Sequence, residues 1–215
     1  MRNVYLLRHA ESHKNVEDRH GGGGRGLTSL GIEQAKAVCS ELNRYKEKSL
    51  VTYCTPLKQV LDTCDIIQEE LSTGYNPCES LNSLNLGVLS GLSNSEAKQL
   101  YPESFNLMKK WRNGNLHITD LKIPEAEPLD LFINRGIAFV HEKVYSVKSD
   151  VLIVGTRSIL ILILNILTSR KISDIISFYR IYEFNNASLT KVILTDENFG
   201  QIKYQNFNVK LDINE

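Results

Sequence analysis

The feature that most constrains this chain is a short apolar run near its start, Val4-Tyr5-Leu6-Leu7, which ends abruptly in Arg8-His9. An apolar run of this length, cut off by a charged pair, reads as a buried parallel strand that ends at a crevice. Open α/β sheets place their ligands at such strand ends. The chemistry offered there is an imidazole beside a guanidinium. Arginine presents a planar fork that matches phosphate oxygens, and a neutral imidazole can attack phosphorus. For two residues alone, the competing reading is a surface Arg-His pair at a strand end. The rest of the chain has to decide between them.

The chain continues Ala10-Glu11-Ser12-His13-Lys14-Asn15. The stretch R-H-A-E-S-H-K-N resembles the R-H-G-E-[ST]-x-x-N signature of the histidine phosphatase superfamily, the phosphoglycerate mutase-like proteins, with Ala10 in place of the usual glycine. Leu27, Thr28, Gly31, Gln34 and Ala35 match a second family feature, L-T-x-x-G-x-x-Q-A. The resemblance runs in register over roughly the first nine-tenths of the chain. It implies a single domain over 1–215 with a variable cap inserted at about 92–125. The fold it implies is α/β, a three-layer α/β/α sandwich with a mostly parallel central sheet.

The local patterns agree. Leu50 to Cys54 reads as a strand, followed by a helix opened by Thr55-Pro56-Leu57 and carried by Leu57, Val60, Leu61, Cys64, Ile67 and Leu71. Ile32 to Leu42 has helical spacing, with Thr28 or Ser29 as its cap. Ser93 to Trp111 reads as one or two helices broken at Pro102, and Pro124 to Pro128 as a linker. Leu131 to Tyr145 is expected as an amphipathic helix capped by Asp130. Val151 to Val154 is a buried strand backed by a buried helix, Ser158 to Leu167. Arg180 to Leu194, with a break at Asn185-Asn186, and Gln201 to Phe207 read as the last strands. The glycines Gly21 to Gly24 lie too far past the first strand to form a phosphate cradle at its end and read as a flexible loop.

The family reaction, as the resemblance implies it, needs two histidines, two arginines and a carboxylic acid. His9 and Arg8 match the first of each, with His9 the candidate phosphoryl acceptor. The second arginine is expected in S-x-L-x-R-A-x-x-T-A. Here the stretch is T-P-L-K-Q-V-L-D-T-C, which puts Gln59 at that position. Lys58 is adjacent but turned away by about 100° on a helix. The acid, expected in E-x-x-x-G-x-x-x-G, is replaced by Ser83, with Glu79 upstream. The second histidine, expected in V-x-H-x-x-x-[IL], is replaced by Thr156, followed by Arg157. Losing one charge-stabilising donor costs roughly 10²–10³ in rate, and losing the acid roughly 10²–10⁴.

Two readings therefore stand. One is a non-standard or inactive member that keeps the pocket for a small anionic ligand, phosphorylated or carboxylated. The other is an enzyme, either a phosphatase with a rearranged site or one repurposed for other chemistry. Candidate ligand-binding residues are Arg8, Asn15, Arg25, Gln59, Ser83, Thr156 and Arg157. Arg25 and Arg157 are the cations that could replace the lost positive charge, while Glu11 and Asn15 brace the loop. Trp111 with Lys109, Lys110 and Arg112 reads as a solvated cap face, or as a lid meeting an acidic ligand.

Composition sets outer limits. Twenty-five basic and twenty-five acidic residues cancel, so any anion site must be local, and broad nucleic-acid or anionic-membrane binding is not expected. His13, His20, His117 and His141 lack metal-ligand spacing and read as surface or structural residues; no metal or cofactor is expected. Cys39, Cys54, Cys64 and Cys78 form no metal or disulfide pattern and fit a cytoplasmic protein with reduced thiols. No stretch reads as a signal peptide or a membrane span. The sequence leaves the oligomeric state open.

Overall fold

The structure, a computed structural model, describes residues 2–21, 24–43, 50–195 and 199–209. Its centre is a six-stranded sheet built from β1 (Arg2–Arg8), β2 (Leu50–Cys54), β3 (Tyr75–Pro77), β4 (Asp150–Gly155), β5 (Leu189–Leu194) and β6 (Gly200–Phe207). The order across the sheet is β3-β2-β4-β1-β5-β6. The β1–β4, β2–β4 and β2–β3 pairs are parallel, whereas β5 pairs antiparallel with both β1 and β6.

Strand periodicity decides which layer each side chain joins. Tyr5 and Leu7 of β1, with Leu152 and Val154 of β4, pack among Ala35, Val38, Val60, Cys64 and Ile67. Those partners come from α2 (Ser29–Asn43) and α3 (Lys58–Leu71), which follow the single-turn helix α1 (His13–Val16) along the chain. The alternate residues Val4, Leu6, Val151 and Ile153 pack on the other face, among Phe132, Phe139, Ile159 and Ile163. These partners belong to α6 (Leu129–Phe139) and α7 (Arg157–Thr168). β1 and β4 are thus covered on both sides, which is why they read as continuous apolar runs.

Several expectations are corrected. The helix after β2 begins at Lys58, beyond Pro56, with Leu57 extended at its N-cap. Thr55 is tied to the sheet, its N–H donating to Val154 O and its hydroxyl to Leu81 O, so the chain stays extended past the proline. α6 starts at Leu129, capped by Pro128 rather than by Asp130, because Phe132 N already donates to Pro128 O. The helical path runs on to Tyr145 as a wider π-type turn over Val140–Tyr145. Arg180 to Phe184 is not a strand. Arg180 bonds instead to Asn165, the polar residue inside α7: Arg180 N donates to Asn165 Oδ1 and Asn165 Nδ2 donates to Arg180 O, at 2.8 and 2.9 Å. The structure adds a short helix, α8 (Ile172–Ser177), and the edge strand β3, neither of which the sequence pattern announces.

Two helix expectations agree with the structure. Two helices, α4 (Asn94–Leu100) and α5 (Pro102–Arg112), meet at Tyr101. Thr28 caps α2, its Oγ1 accepting from Gly31 N at 3.0 Å. Of the glycine run, Gly22 and Gly23 lie outside the described residues. Among the described residues no helix is long and apolar enough to cross a membrane, and no group of three or more His, Cys, Asp or Glu side chains is placed to hold a metal.

Gly31 shows how tightly α2 supports the loop after β1. A Cβ added there would sit 2.0 Å from the Glu11 carbonyl oxygen, a backbone atom that cannot swing aside. Gly31→Ala is expected to lower stability by about 1–3 kcal/mol through overpacking. Urea unfolding checks this, and an unchanged midpoint would mean that the loop yields freely.

Candidate functional site

The site grows from the register of β1 and β4. Arg8 lies opposite Gly155, and His9 N donates to Gly155 O at 3.0 Å. His9 and Thr156 each stand one residue beyond these paired strand ends, so two positions far apart in sequence become neighbours. Neighbouring strands lie about 4.8 Å apart. This is the carboxyl-end crevice of the parallel part of the sheet. A cavity of about 320 Å³ opens there, lined by Arg8, His9, Lys14, Asn15, Ser83, Arg112, Thr156 and Arg157 among others.

His9 is buried and held in one orientation. Its Nδ1 lies 2.8 Å from Ala10 O. A carbonyl only accepts, so Nδ1 carries the proton and Nε2 keeps its lone pair. Burial, then the Arg8 charge, push the imidazole pKa down to about 3, with Lys14 adding to the shift. The ring is therefore neutral at physiological pH. Ala10, in the usual glycine's place, is fully buried, and its N–H donates to Thr63 Oγ1 at 3.2 Å. Asn186 Nδ2 donates to both His9 O and Asn15 Oδ1, at 3.2 and 3.0 Å. Glu11 braces the loop from outside, accepting from Thr28 Oγ1 at 2.8 Å.

Ser83 and Thr156 touch directly. Their hydroxyl oxygens are 2.6 Å apart. The positions where the resemblance asks for an acid and a second histidine are thus filled by two neutral groups that satisfy each other. Ser83 is also fixed from behind. Arg135 donates to Ser83 O and Ser80 O while gripping Glu127 with two nitrogens.

Gln59 is buried in the first turn of α3 but is not part of the cavity wall. Its Oε1 accepts from Gly24 N at 3.1 Å, so it holds down the glycine loop. Arg25 is largely exposed, pairs with Glu17 and lies outside the lining. Glu79 bonds to Asn82 and Lys58 to Asp62, both away from the cavity.

Positive charge reaches the cavity from other places. Arg157, at the start of α7, lines it, with Nη2 donating to Arg112 O at 3.4 Å. Arg112 itself lines it from the last turn of α5, and Trp111 beside it is buried. Of the two readings of this stretch, Trp111 and Arg112 depart from the solvated face and fit the lid, while Lys109 and Lys110 are exposed. Burial, then the Arg157 and Arg112 charges, lower the pKa of Arg8 to about 10, and burial, then the Arg157 charge, lower that of Arg112 to about 10 against the pull of Asp18. Lys14 falls to about 8, through burial and then the charges of Arg112 and Arg8. Lys14, Asp18, Ser158 and Asn186 join the site without having been picked out from the sequence, and Arg112 joins it from the stretch with two readings. Lys14 sits at a variable position of the first motif. Arg112 carries no local signal beyond its basic neighbours.

The matches to known proteins agree with this architecture. The model of the histidine phosphatase superfamily (branch 1) matches residues 4–207, and the chain belongs to that superfamily. The 6-phosphofructo-2-kinase/fructose-2,6-bisphosphatase 3 of Bos taurus is 31% identical over 106 residues, 49% of this chain and 22% of that protein. The human protein of the same name is 31% identical over 109 residues, 51% of this chain and 20% of that one. The aligned part is thus about a fifth of the length of these relatives. Among solved structures, a mycobacterial glucosyl-3-phosphoglycerate phosphatase with VO3 superposes with a TM-score of 0.78 at 20% identity, over 96% of this chain and 99% of that one. The alpha-ribazole phosphatase of Shigella flexneri gives 0.75 at 17% identity, over 95% and 96%. At such identities these two show the fold.

The buried imidazoles make stability depend on acid. His20 is fully buried, with no hydrogen-bond partner for either ring nitrogen among the described residues, and its pKa falls to about 4 through burial and then the charges of Arg112 and Lys14. His9 and His20 both stay neutral in the fold at pH values where the unfolded chain protonates them near 6.5. Below pH 6.5 the unfolded state therefore binds more protons, and stability falls as pH drops toward 3–4, by up to about 1.4 kcal/mol per group per pH unit. Urea midpoints at pH 7.5 and 5 should show this fall, and His20→Leu should reduce it. Identical pH slopes for the two proteins would show that His20 contributes nothing.

Proposed function

We propose that this chain is a non-standard member of its superfamily that binds a small phosphorylated or carboxylated ligand, with little standard phosphomonoester hydrolysis. The observation that carries this reading is the Ser83–Thr156 hydroxyl pair at 2.6 Å. Standard chemistry needs a carboxyl to protonate the leaving oxygen and a donor that gains positive charge beside the phosphoryl group. A serine and a threonine bonded to each other offer neither. Gln59, committed to Gly24, offers no charge in place of an arginine. The cations that line the cavity still favour an anion, and Arg8 with Arg157 can grip oxygens bidentately. Helices α4 and α5 act in this reading as the cap of the inserted segment, with Arg112 reaching into the cavity.

A second reading rests on His9. A neutral imidazole with Nδ1 on Ala10 O and a free Nε2 lone pair is competent to accept a phosphoryl group. Arg112 and Arg157 would then replace the lost positive charge, giving a phosphatase with a rearranged site. Turnover of p-nitrophenyl phosphate and an alkyl phosphate separates the two. The binding reading expects rates near background on both, lower by about 10⁴ or more than a standard phosphatase when acid and donor losses combine. Efficient turnover abolished by His9→Ala would establish the rearranged phosphatase instead.

The same contacts predict a rescue. Ser83→Glu, Thr156→His and Gln59→Arg together should raise His9-dependent hydrolysis of the alkyl phosphate by about 10² or more, while each change alone does little, because such groups act as a unit. A folded triple variant with no gain would show that the cavity is shaped for something other than ester hydrolysis.

A further inference from the structure

We propose that the far end of the sheet carries a second ligand site, a cleft between α7 and α8 that takes an aliphatic carboxylate. The chain of that ligand lies on Ile166, Ile175 and Phe199, and its head lies between Arg170 and Lys171. The site is separate from the cavity beside His9 and does not depend on how that cavity is read.

Its place follows from the length of α7. The helix starts at Arg157, on the wall of the first cavity, and its 12 residues carry it roughly 18 Å. It ends at the amino end of the parallel strands, where Arg2 of β1 donates from Nη2 to Tyr145 O at 3.0 Å. There the chain turns at Ser169 toward α8, and β6 starts against the same helix. A Cβ added at Gly200 would meet Leu167 O at 2.6 Å. Between these elements opens a cleft of about 420 Å³, within the range of small-molecule sites.

The lining is divided by chemistry. Ile166, in the last turn of α7, and Ile175, on α8, are buried, and Ile137 and Phe199 stand half-buried beside them. Ile172 forms the lip and is 61% exposed. An aliphatic side chain left open beside a buried apolar floor gains by being covered. The polar side is cationic. Arg170 and Lys171 line it, and neither has a carboxylate partner among the described residues. The carboxylates of Glu142 and Asp174, on the flanking elements, are not part of the lining, and Asp174 accepts from Ser173 Oγ. Asp196 and Glu197 lie outside the described residues. Arg170 holds its guanidinium over the Phe199 ring, 4.7 Å from the centroid. Its fork thus stands where the apolar floor meets water, and a planar carboxylate matches it with two hydrogen bonds.

The π-type turn supplies a further wall. His141 and Tyr145 both line the cleft, their rings edge to face at 5.2 Å. Such turns are rare and frequently mark functional sites. The simpler account treats Arg170 and Lys171 as cations at the carboxyl end of α7, where the helix dipole favours them. Neither donates to a carbonyl of α7 among the described residues, and Arg170 rests on an aromatic face instead. That account also leaves the open apolar floor unexplained.

The test is calorimetric titration of the full chain with butanoate, octanoate and octan-1-ol, each below the concentration at which it self-associates, with the ring resonances of His141 followed in parallel. Octanoate is expected to bind at one site about tenfold or more tighter than butanoate, because each added methylene is buried. It should also bind about tenfold tighter than octan-1-ol, the neutral chain of the same length. The His141 resonances should move as octanoate binds. Ile172→Glu sets a negative charge on an exposed lip residue and should weaken octanoate about tenfold or more with an unchanged urea midpoint. Arg170→Gln should shrink the preference over octan-1-ol while keeping the preference over butanoate. Octanoate binding no tighter than butanoate, binding that leaves the His141 resonances unmoved, or binding that survives Ile172→Glu overturns the site. Equal affinity for octan-1-ol and octanoate overturns the assignment of a carboxylate head.

Discussion

The hydrogen bond from His9 N to Gly155 O continues the parallel pairing of β1 and β4 by one step past the strand ends, and the site depends on it. It sets His9 beside Thr156, and Thr156 in turn receives Ser83 from the loop after β3. The apolar alternation of the two strands fixes the same register from below. Shifting either strand by one residue would turn Tyr5, Leu7, Leu152 and Val154 onto the wrong face. Packing energy in the core thus becomes positional accuracy at the cavity.

Where the superfamily resemblance calls for charged groups, this chain has built closed neutral contacts. Ser83 and Thr156 bond to each other, and Gln59 bonds to Gly24. Such self-satisfied polar groups are cheap to bury, whereas a half-satisfied remnant of the old machinery would be costly. Positive charge reaches the cavity on Lys14, Arg112 and Arg157, supplied by the helical turn after β1, by α5 and by α7. On the proposed reading, these cations are what would hold an anion in the cavity.

Much of this is legible in the sequence. The first strand, the order of the motifs and the superfamily follow from residues that lie in register, and Thr156 and Ser83 are placed by their neighbouring glycines and leucines. Arg112 stays open in the sequence between a solvated face and a lid, because basic residues at a helix end look alike until the helix is docked. Gln59 is expected beside the other site residues, but a hydrogen bond from a glycine loop far away in sequence claims its side chain. Arg25 is a candidate on charge alone, and Glu17 holds it outside. The stretch at Arg180 has the apolar and aromatic content of a strand, yet the partner for its backbone is one asparagine in α7, which no local pattern announces.

That asparagine gives the buried helix a second office. Asn165 sits among isoleucines and leucines, outside the cavity lining, and it clamps the backbone of Arg180 from both sides. The chain then runs on to Phe184, whose carbonyl steadies Arg8, and to Asn186, whose amide reaches His9 O and Asn15. An inward-facing amide of α7 therefore sets the tension of a strap that ends on the cationic floor. Damage at that anchor would travel along the peptide rather than through space, and would surface as a misaimed guanidinium.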